Sequence, residues 1–328
     1  MIVDGHLDLA YNALVDGRDY TRSALDTRAE EAGGPIETTN GRCMVGLPEL
    51  LAGDVRLIIA TLFALPRSEA AQGECGYVNQ HGAHEQALAQ LGIYLRWAAE
   101  LDEIDLVQSA ADLVRPAGRV GVALLIENAD CIRTIDDVEL FHRAGVRMVG
   151  PAWLVDNEYV VGGLTKEGRE LVGELSRLGM CLDVSHLPDG GIGRAAMSHE
   201  GMMVASHANP RSVLMEARQL PDFAIKLIAE RDGVVGVMPV AWALPANTMD
   251  AVCEAIEAVA ETAGSARHVA IGSDYDGGFG SEQTPDELDT IADHRKIGEA
   301  LRGRGWNDDD VAGVLGGNWL RVLGGLYA

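Results

Sequence analysis

What most constrains this chain is a repeated alternation of short apolar runs rich in β-branched residues with longer amphipathic stretches. The runs lie at residues 1–8, 56–63, 120–127, 147–153, 180–186, 202–207, 234–240 and 268–274. Most are nearly continuous in Val, Ile, Leu, Ala and Met, as parallel strands buried on both faces should be. Strand followed by helix, eight times over, favours a closed (β/α)8 TIM barrel over an open doubly wound sheet. The chain of 328 residues is read as one such domain, 1–328, with no linker or internal repeat. Residues 17–46 are polar and Gly-rich and are expected to form an excursion over the barrel mouth.

Helical spacing of apolar residues appears at 85–101 and at 165–178, where Leu171, Val172, Leu175 and Leu178 form one stripe. Residues 221–231 begin with Pro221 in a first helical turn. The last helices are expected at 286–302 and 308–315, the latter opened by Asp308, Asp309 and Asp310 at a favourable N-terminus. Glycine is abundant, at 39 residues. Many tight strand-to-helix turns account for that number, because glycine tolerates backbone angles that other residues avoid.

The formal net charge of −24 argues against a nucleic-acid partner, whose phosphates would be repelled. It reads as an acidic, solvated surface and identifies no ligand. Five cysteines, Cys43, Cys75, Cys131, Cys181 and Cys253, contain no C-x-x-C pair, so neither a disulfide framework nor a zinc ribbon is indicated. The first residues carry no signal-peptide pattern, and no stretch reaches ~18 uninterrupted apolar residues. A cytoplasmic protein without membrane contact is expected, acting on a small molecule; a homo-oligomer stays open.

Polar residues interrupt the apolar runs at the strand ends. His6 and Asp8 end the first, two apart and therefore on one face. Glu127 ends the third, His186 the fifth, His207 the sixth and Asp274 the eighth. In a closed barrel these ends meet at one mouth, where active sites of this fold are built. Three imidazoles with the carboxylates of Asp8 and Glu127 make an N/O set suited to zinc, with manganese or iron as competitors. Five ligands exceed what one open zinc takes from protein, so two divalent metals sharing Glu127 as a bridge fit the set.

Each residue alone has a plainer role. A histidine near a strand end can be a hydrogen-bonded structural residue, and Asp8 or Asp274 can cap the next helix. Glu127, after four apolar residues, is harder to explain that way, since a buried unpaired carboxylate is costly. His81 and His84 read as a solvated surface. Ser185 lacks the G-x-S-x-G of a nucleophile elbow, and Asp276 reads as a turn residue rather than part of a calcium loop.

Certain stretches go further: Asp4-Gly5-His6-Leu7-Asp8-Leu9; Leu47-Pro48-Glu49-Leu50 with Gly53 and Val55; Gly163-Leu164-Thr165-Lys166-Glu167-Gly168-Arg169 through Asp183-Val184-Ser185-His186; Ser206-His207; Arg218-Gln219-Leu220-Pro221-Asp222; the 272–277 loop; and Gly316-Gly317-Asn318-Trp319. Together they span nearly the whole chain and resemble the membrane (renal) dipeptidase family, the M19 peptidases of the amidohydrolase superfamily. The resemblance implies that His6 and Asp8 hold one metal, that His186 and His207 hold the other, and that Glu127 bridges them. It implies that Asp274 handles the proton of the bridging water and that Arg218 grips the free carboxylate of a dipeptide; a surface salt bridge is the plainer role for Arg218. At one position the chain departs: Trp153 stands where the family pattern has a histidine that stabilises the developing oxyanion. An indole N–H donates one hydrogen bond but carries no charge.

The function expected is thus hydrolysis of a dipeptide or similar small amide by a metal-bridging hydroxide, with zinc as the first choice of metal. The alternatives are a metal-dependent hydrolase of another amide, ester or lactone, and a metal-binding homologue with weakened catalysis.

Overall fold

The structure, a computed structural model, describes residues 1–70, 76–154 and 156–328. All eight apolar runs form strands: β1 (Ile2–Leu7), β2 (Val55–Phe63), β4 (Val120–Glu127), β5 (Val146–Gly150), β6 (Cys181–Asp183), β7 (Met203–Val204), β8 (Val235–Val237) and β9 (Val269–Ile271). One further strand, β3 (Ile104–Leu106), pairs in parallel with the first half of β4, opposite Val120, Gly121 and Val122. Three residues around a central Asp105 carry too little apolar signal to be read from sequence.

The main sheet runs β1-β2-β4-β5-β6-β7, all parallel, and β8 pairs with β9. A parallel bridge between Ala205 and Val235 joins the two sheets. The Asp274 N–H donates to the His6 carbonyl at 3.1 Å, which brings β9 back to β1. The strands therefore curl into the (β/α)8 architecture, with long ladders among β1, β2, β4 and β5 and short ones from β6 round to β9.

The two faces of the strands separate into two cores. Leu57 and Ile59 of β2, Ala123 and Leu125 of β4, Met148, Cys181, Val204 and Ala270 pack together as one cluster, while the alternate residues pack outward against the helices. Trp319 joins the inner cluster and donates its indole N–H to the Ile271 carbonyl at 2.8 Å. A Cβ on Gly5 would lie 2.5 Å from that indole ring, so Gly5 is required for the close approach.

Helix boundaries differ from expectation where caps decide them. The helix expected from 85 spans Gln80–Glu100, because Asn79 Oδ1 accepts the Gly82 N–H at 3.0 Å. Thr165 likewise caps Lys166–Arg177 through the Gly168 N–H at 2.9 Å. Pro221 precedes the helix Asp222–Glu230 as its N-cap. Residues 286–293 are not part of the late helix, which spans His294–Gly303: the Asp293 carboxylate accepts the N–H groups of Asp289 at 3.0 Å and Thr290 at 3.2 Å. The final stretch is α-helical only over Asp308–Ala312 before a wider turn at Gly313–Gly317.

Residues 17–46 leave the barrel wall as helices Ala24–Glu31 and Pro35–Asn40. They are tied back by Asp276, a turn residue at φ 65° that is fully buried. Its carboxylate accepts the Met44 N–H at 2.8 Å and faces Arg18 at 3.5 Å. Cys43, Cys131, Cys181 and Cys253 are free and buried, while Cys75 lies outside the described residues. Among the described residues no helix is long and apolar enough to cross a membrane.

Candidate metal centre

The inward rows of the strands change from apolar to polar as they approach the C-terminal ends. Leu57 and Ile59 lead to Thr61, Ala123 and Leu125 to Glu127, Cys181 to Asp183, and Ala270 through Gly272 to Asp274. Hydrophobic packing at one end of the barrel thus fixes the polar groups at the other.

His6, Asp8, Glu127, His186, His207 and Asp274 converge there. Glu127 Oε2 lies 3.3 Å from His6 Nε2, while its Oε1 lies 2.8 Å from His186 Nε2 and 3.5 Å from His207 Nε2. One carboxylate thus offers an oxygen to each of two imidazole groups. His6 Nε2 is also 3.8 Å from Asp8 Oδ1, and His186 Nε2 is 2.8 Å from His207 Nε2. Donor atoms of His6, Glu127 and His207 fall within 4.8 Å of one another, as do those of His6, Asp8 and Asp274. Asp274 therefore sits on the Asp8 side.

The capping alternatives can be judged directly. Asp8 occupies the N-cap position of the helix Leu9–Val15, but its side chain makes no cap hydrogen bond and accepts from the Thr61 hydroxyl instead. No helix starts at Asp274, which holds a left-handed φ of 58°. Non-glycine residues adopt that region at a cost that clusters at functional sites. Asn128, directly after Glu127, has φ 70° and is held by its amide donating to the Ala64 carbonyl at 3.1 Å.

Two backbone carbonyls orient Arg218, Ser185 at 2.7 Å and His207 at 3.0 Å, and its guanidinium lies 3.4 Å from His186 Nε2. Among the described residues it forms no ion pair with a carboxylate, so the surface salt bridge is not formed. Trp153 is half-buried at the mouth, its ring centroid 6.3 Å from that of His186 and 5.1 Å from that of Phe63. Phe63 in turn meets Tyr11 at 5.1 Å, making an aromatic wall beside the imidazoles.

Electrostatics in the ion-free site follow from this crowding. Burial works against a charge on His6, but Glu127, Asp8 and Asp274 outweigh it and push its pKa up to about 10. Burial also disfavours the Glu127 carboxylate, yet His6 and His186 hold it well below the usual carboxylate range. Burial and the Glu127 charge raise Asp8 to about 6. Burial and the Arg218 guanidinium lower His186 to about 4, and His207 is driven well down by burial and its cationic neighbours. Burial, reinforced by Asp8 and Glu127, pushes Asp274 well above the usual carboxylate range. Carboxylates thus share a single imidazolium, while burial keeps His186 and His207 neutral. His6 Nε2 is buried at ion-pair distance from Glu127 yet aligned with no hydrogen-bond partner. A divalent cation answers both deficits, so the residues fit a metal site.

Several contributors were not singled out from the sequence. Thr61 and Ser206 look like ordinary polar interruptions of apolar runs, and Phe63 and Tyr11 like core. Asp4, the first residue of the Asp-x-His-x-Asp alternation, accepts from the His6 and Ser273 N–H groups at 3.0 and 3.1 Å and from His294 Nε2 at 2.7 Å. The alternation itself was the available signal. His84, expected on a solvated surface, is buried, with Nδ1 2.8 Å from the Cys131 carbonyl; His81 is exposed beside Glu85.

The sequence profile of the membrane dipeptidase family (peptidase family M19) matches residues 1–326. A dipeptidase of Aspergillus oryzae, aclJ, is 30% identical over 222 residues, which are 63% of this chain and 52% of that protein. The chain thus spans about half the length of that relative. A solved structure of the probable dipeptidase PvdM from Pseudomonas aeruginosa superposes with a TM-score of 0.84 at 19% identity, covering 100% of this chain and 95% of that one. A metallopeptidase from Rhodobacter sphaeroides, solved with a phosphinate mimic of the dipeptide L-Ala-D-Ala, gives 0.79 at 23% identity, covering 99% of each.

Proposed function

We propose, since this chain belongs to the membrane dipeptidase family, peptidase family M19, that it is a metal-dependent hydrolase of dipeptides or closely similar small amides. The observation that carries this reading is the division of Glu127, one oxygen toward His6 and the other toward His186 and His207. His6 and Asp8 would hold one divalent metal and His186 and His207 the other, with Glu127 shared and zinc the first choice for this N/O set. When bound, such a pair supplies Lewis acidity, polarising a carbonyl and acidifying a water near neutral pH.

The chain's own residues supply the rest. The Arg218 guanidinium, oriented by two carbonyls, binds a substrate carboxylate through the remaining edge of its fork. That contact fixes the amide over the site and turns a bimolecular encounter into an oriented one. Asp274, grouped with His6 and Asp8 at the metal site, is placed to accept a proton from the attacking water and pass it to the leaving amine nitrogen. The wall of Trp153, Phe63 and Tyr11 excludes water on the His186 side and favours an apolar side chain there. The Rhodobacter sphaeroides relative, solved with a dipeptide mimic, supports a dipeptide as the substrate class.

Trp153 favours a second reading, in which another amide, ester or lactone is the native substrate. Arg218 separates the two, because a neutral lactone has no carboxylate for it to hold. The test is turnover of a dipeptide panel and of neutral lactones by protein loaded with zinc or manganese. Dipeptides with a free C-terminal carboxylate should be cleaved, and their amidated forms should lose most of kcat/KM. Lactone turnover without dipeptide turnover would overturn the proposal. A cytoplasmic location belongs to the same proposal and is tested by cell fractionation.

A further inference from the structure

We propose that the Ser206 hydroxyl is a shared positioning group that orients His6 and His207, one ligand from each half of the centre, through a single oxygen. The inference rests on the metal reading above. Ser206 Oγ lies 2.9 Å from His6 Nδ1 and 2.9 Å from His207 Nδ1. It is also 3.2 Å from Ser185 Oγ, which in turn lies 2.6 Å from Asp183 Oδ1. The same Asp183 oxygen accepts the backbone N–H groups of Ser185 and Ser206, each at 3.0 Å. Every member of this chain is buried.

The direction of each proton follows from the Asp183 end. A carboxylate oxygen receiving two backbone N–H groups is an acceptor, so the Ser185 hydroxyl donates to it. Ser185 has only one hydroxyl proton, and that proton is now committed. Between the two serines, therefore, Ser206 donates and Ser185 accepts; Ser185 Oγ also receives the His207 backbone N–H at 3.2 Å. Ser206 has then used its own proton, and toward the imidazoles its oxygen can only accept. Both Nδ1 atoms carry N–H, and both Nε2 atoms are left facing Glu127. An imidazole bound through Nε2 needs this arrangement, because the opposite tautomer would put its proton where the metal belongs.

The backbone holds the serine in place. A Cβ on Gly236 or Gly272 would lie 2.0 or 1.8 Å from the Ser206 carbonyl oxygen, so β8 and β9 approach it as closely as bare backbone allows. A serine that held one histidine would affect one metal. Ser206 serves one ligand of each, so its loss should be felt at both.

The test titrates zinc into full-length wild type, Ser206→Ala and Ser206→Thr against a competing chelator. We expect Ser206→Ala to weaken both zinc ions, each by about 10–100-fold, with an unchanged far-UV circular dichroism spectrum. Ser206→Thr, which keeps the hydroxyl, should restore most of the affinity. Weakening of one zinc alone, or of neither, would overturn the inference. Long-range 15N–1H correlation spectra of metal-free wild type provide a second readout: Nδ1 should be protonated on both His6 and His207, and a bare Nδ1 on either ring overturns the inference. Wild type that binds no zinc would refute the metal centre, while the spectra would still decide the serine. If Ser206→Ala does not fold, Ser185→Ala replaces it. That change frees the Ser206 proton to turn toward one imidazole, so one zinc should weaken more than the other, and equal retention of both counts against the idea.

Discussion

Glu127 presents one oxygen to His6 and the other to His186 and His207, so a change there acts on both sides at once. Glu127→Ala should lose both metals, measured by elemental analysis after loading with excess zinc; retention of one metal per chain would show that the carboxylate is not shared. Asp274→Asn should keep both and lose about 10²–10⁴-fold in kcat, the range for a positioned acid or base. Loss of metal from that variant would make Asp274 a ligand, a role its place beside His6 and Asp8 allows. Trp153→His tests the departure from the family pattern: recovery of an oxyanion donor is worth about 10²–10³-fold in kcat, so dipeptide turnover should rise. No change would mean the indole serves only as part of the wall with Phe63. Glu127 and Asp274 were legible because each breaks an apolar run at its C-terminal end, and Trp153 only as a departure from the family pattern. Ser206 and Asp183 lie within the matching stretches, but their roles were not legible, since these lie in contacts between strands that the sequence does not display.

Among the elements, the strands were readable because burial on both faces leaves an unmistakable apolar run. The ends of helices were not, because single caps such as Asn79 and Asp293 moved them by several residues. The barrel is least reinforced where β7, β8 and β9 meet β1. There the pairing shortens to three backbone hydrogen bonds between β7 and β8, from Ala205 to Val234, Gly236 to Ala205 and Ala208 to Gly236, and to the Asp274-to-His6 hydrogen bond between β9 and β1, supplemented by the Asp4 carboxylate spanning His6, Ser273 and His294. Close backbone approach accompanies this short ladder, and glycine makes it feasible. Gly236→Ala would drive a methyl to 2.0 Å from the Ser206 carbonyl. Overpacking of this kind costs about 1–3 kcal/mol, so the variant should melt lower and bind zinc more weakly through the displaced Ser206-His207 segment. A Gly236→Ala protein with the wild-type melting temperature would mean that β7 and β8 can separate freely.

For the molecule as a whole, the metal-free site is an electrostatic compromise that pH should expose. His6, raised to about 10, stabilises the fold fully below its unfolded value of 6.5, and that contribution fades as pH climbs toward 10. His186, lowered to about 4, acts in the opposite sense: stability falls as pH drops from 6.5 toward 4, because the unfolded chain takes up a proton that the fold resists. The metal-free protein should therefore be most stable near neutrality, as far as these two histidines govern it. Metal must displace the proton that His6 holds, so loading near pH 7 should release protons, and affinity should rise with pH. A ligand that binds only the folded state at about 100 times its Kd adds about 2.7 kcal/mol. As affinity grows, the gap between loaded and metal-free melting temperatures at fixed free zinc should widen from pH 6 to pH 9. Calorimetric melts across that range, with zinc titrations in two buffers of different ionisation enthalpy, measure the gap and the protons released. A gap that narrows with rising pH, or binding that releases no proton, would mean that His6 does not exchange its proton for a metal.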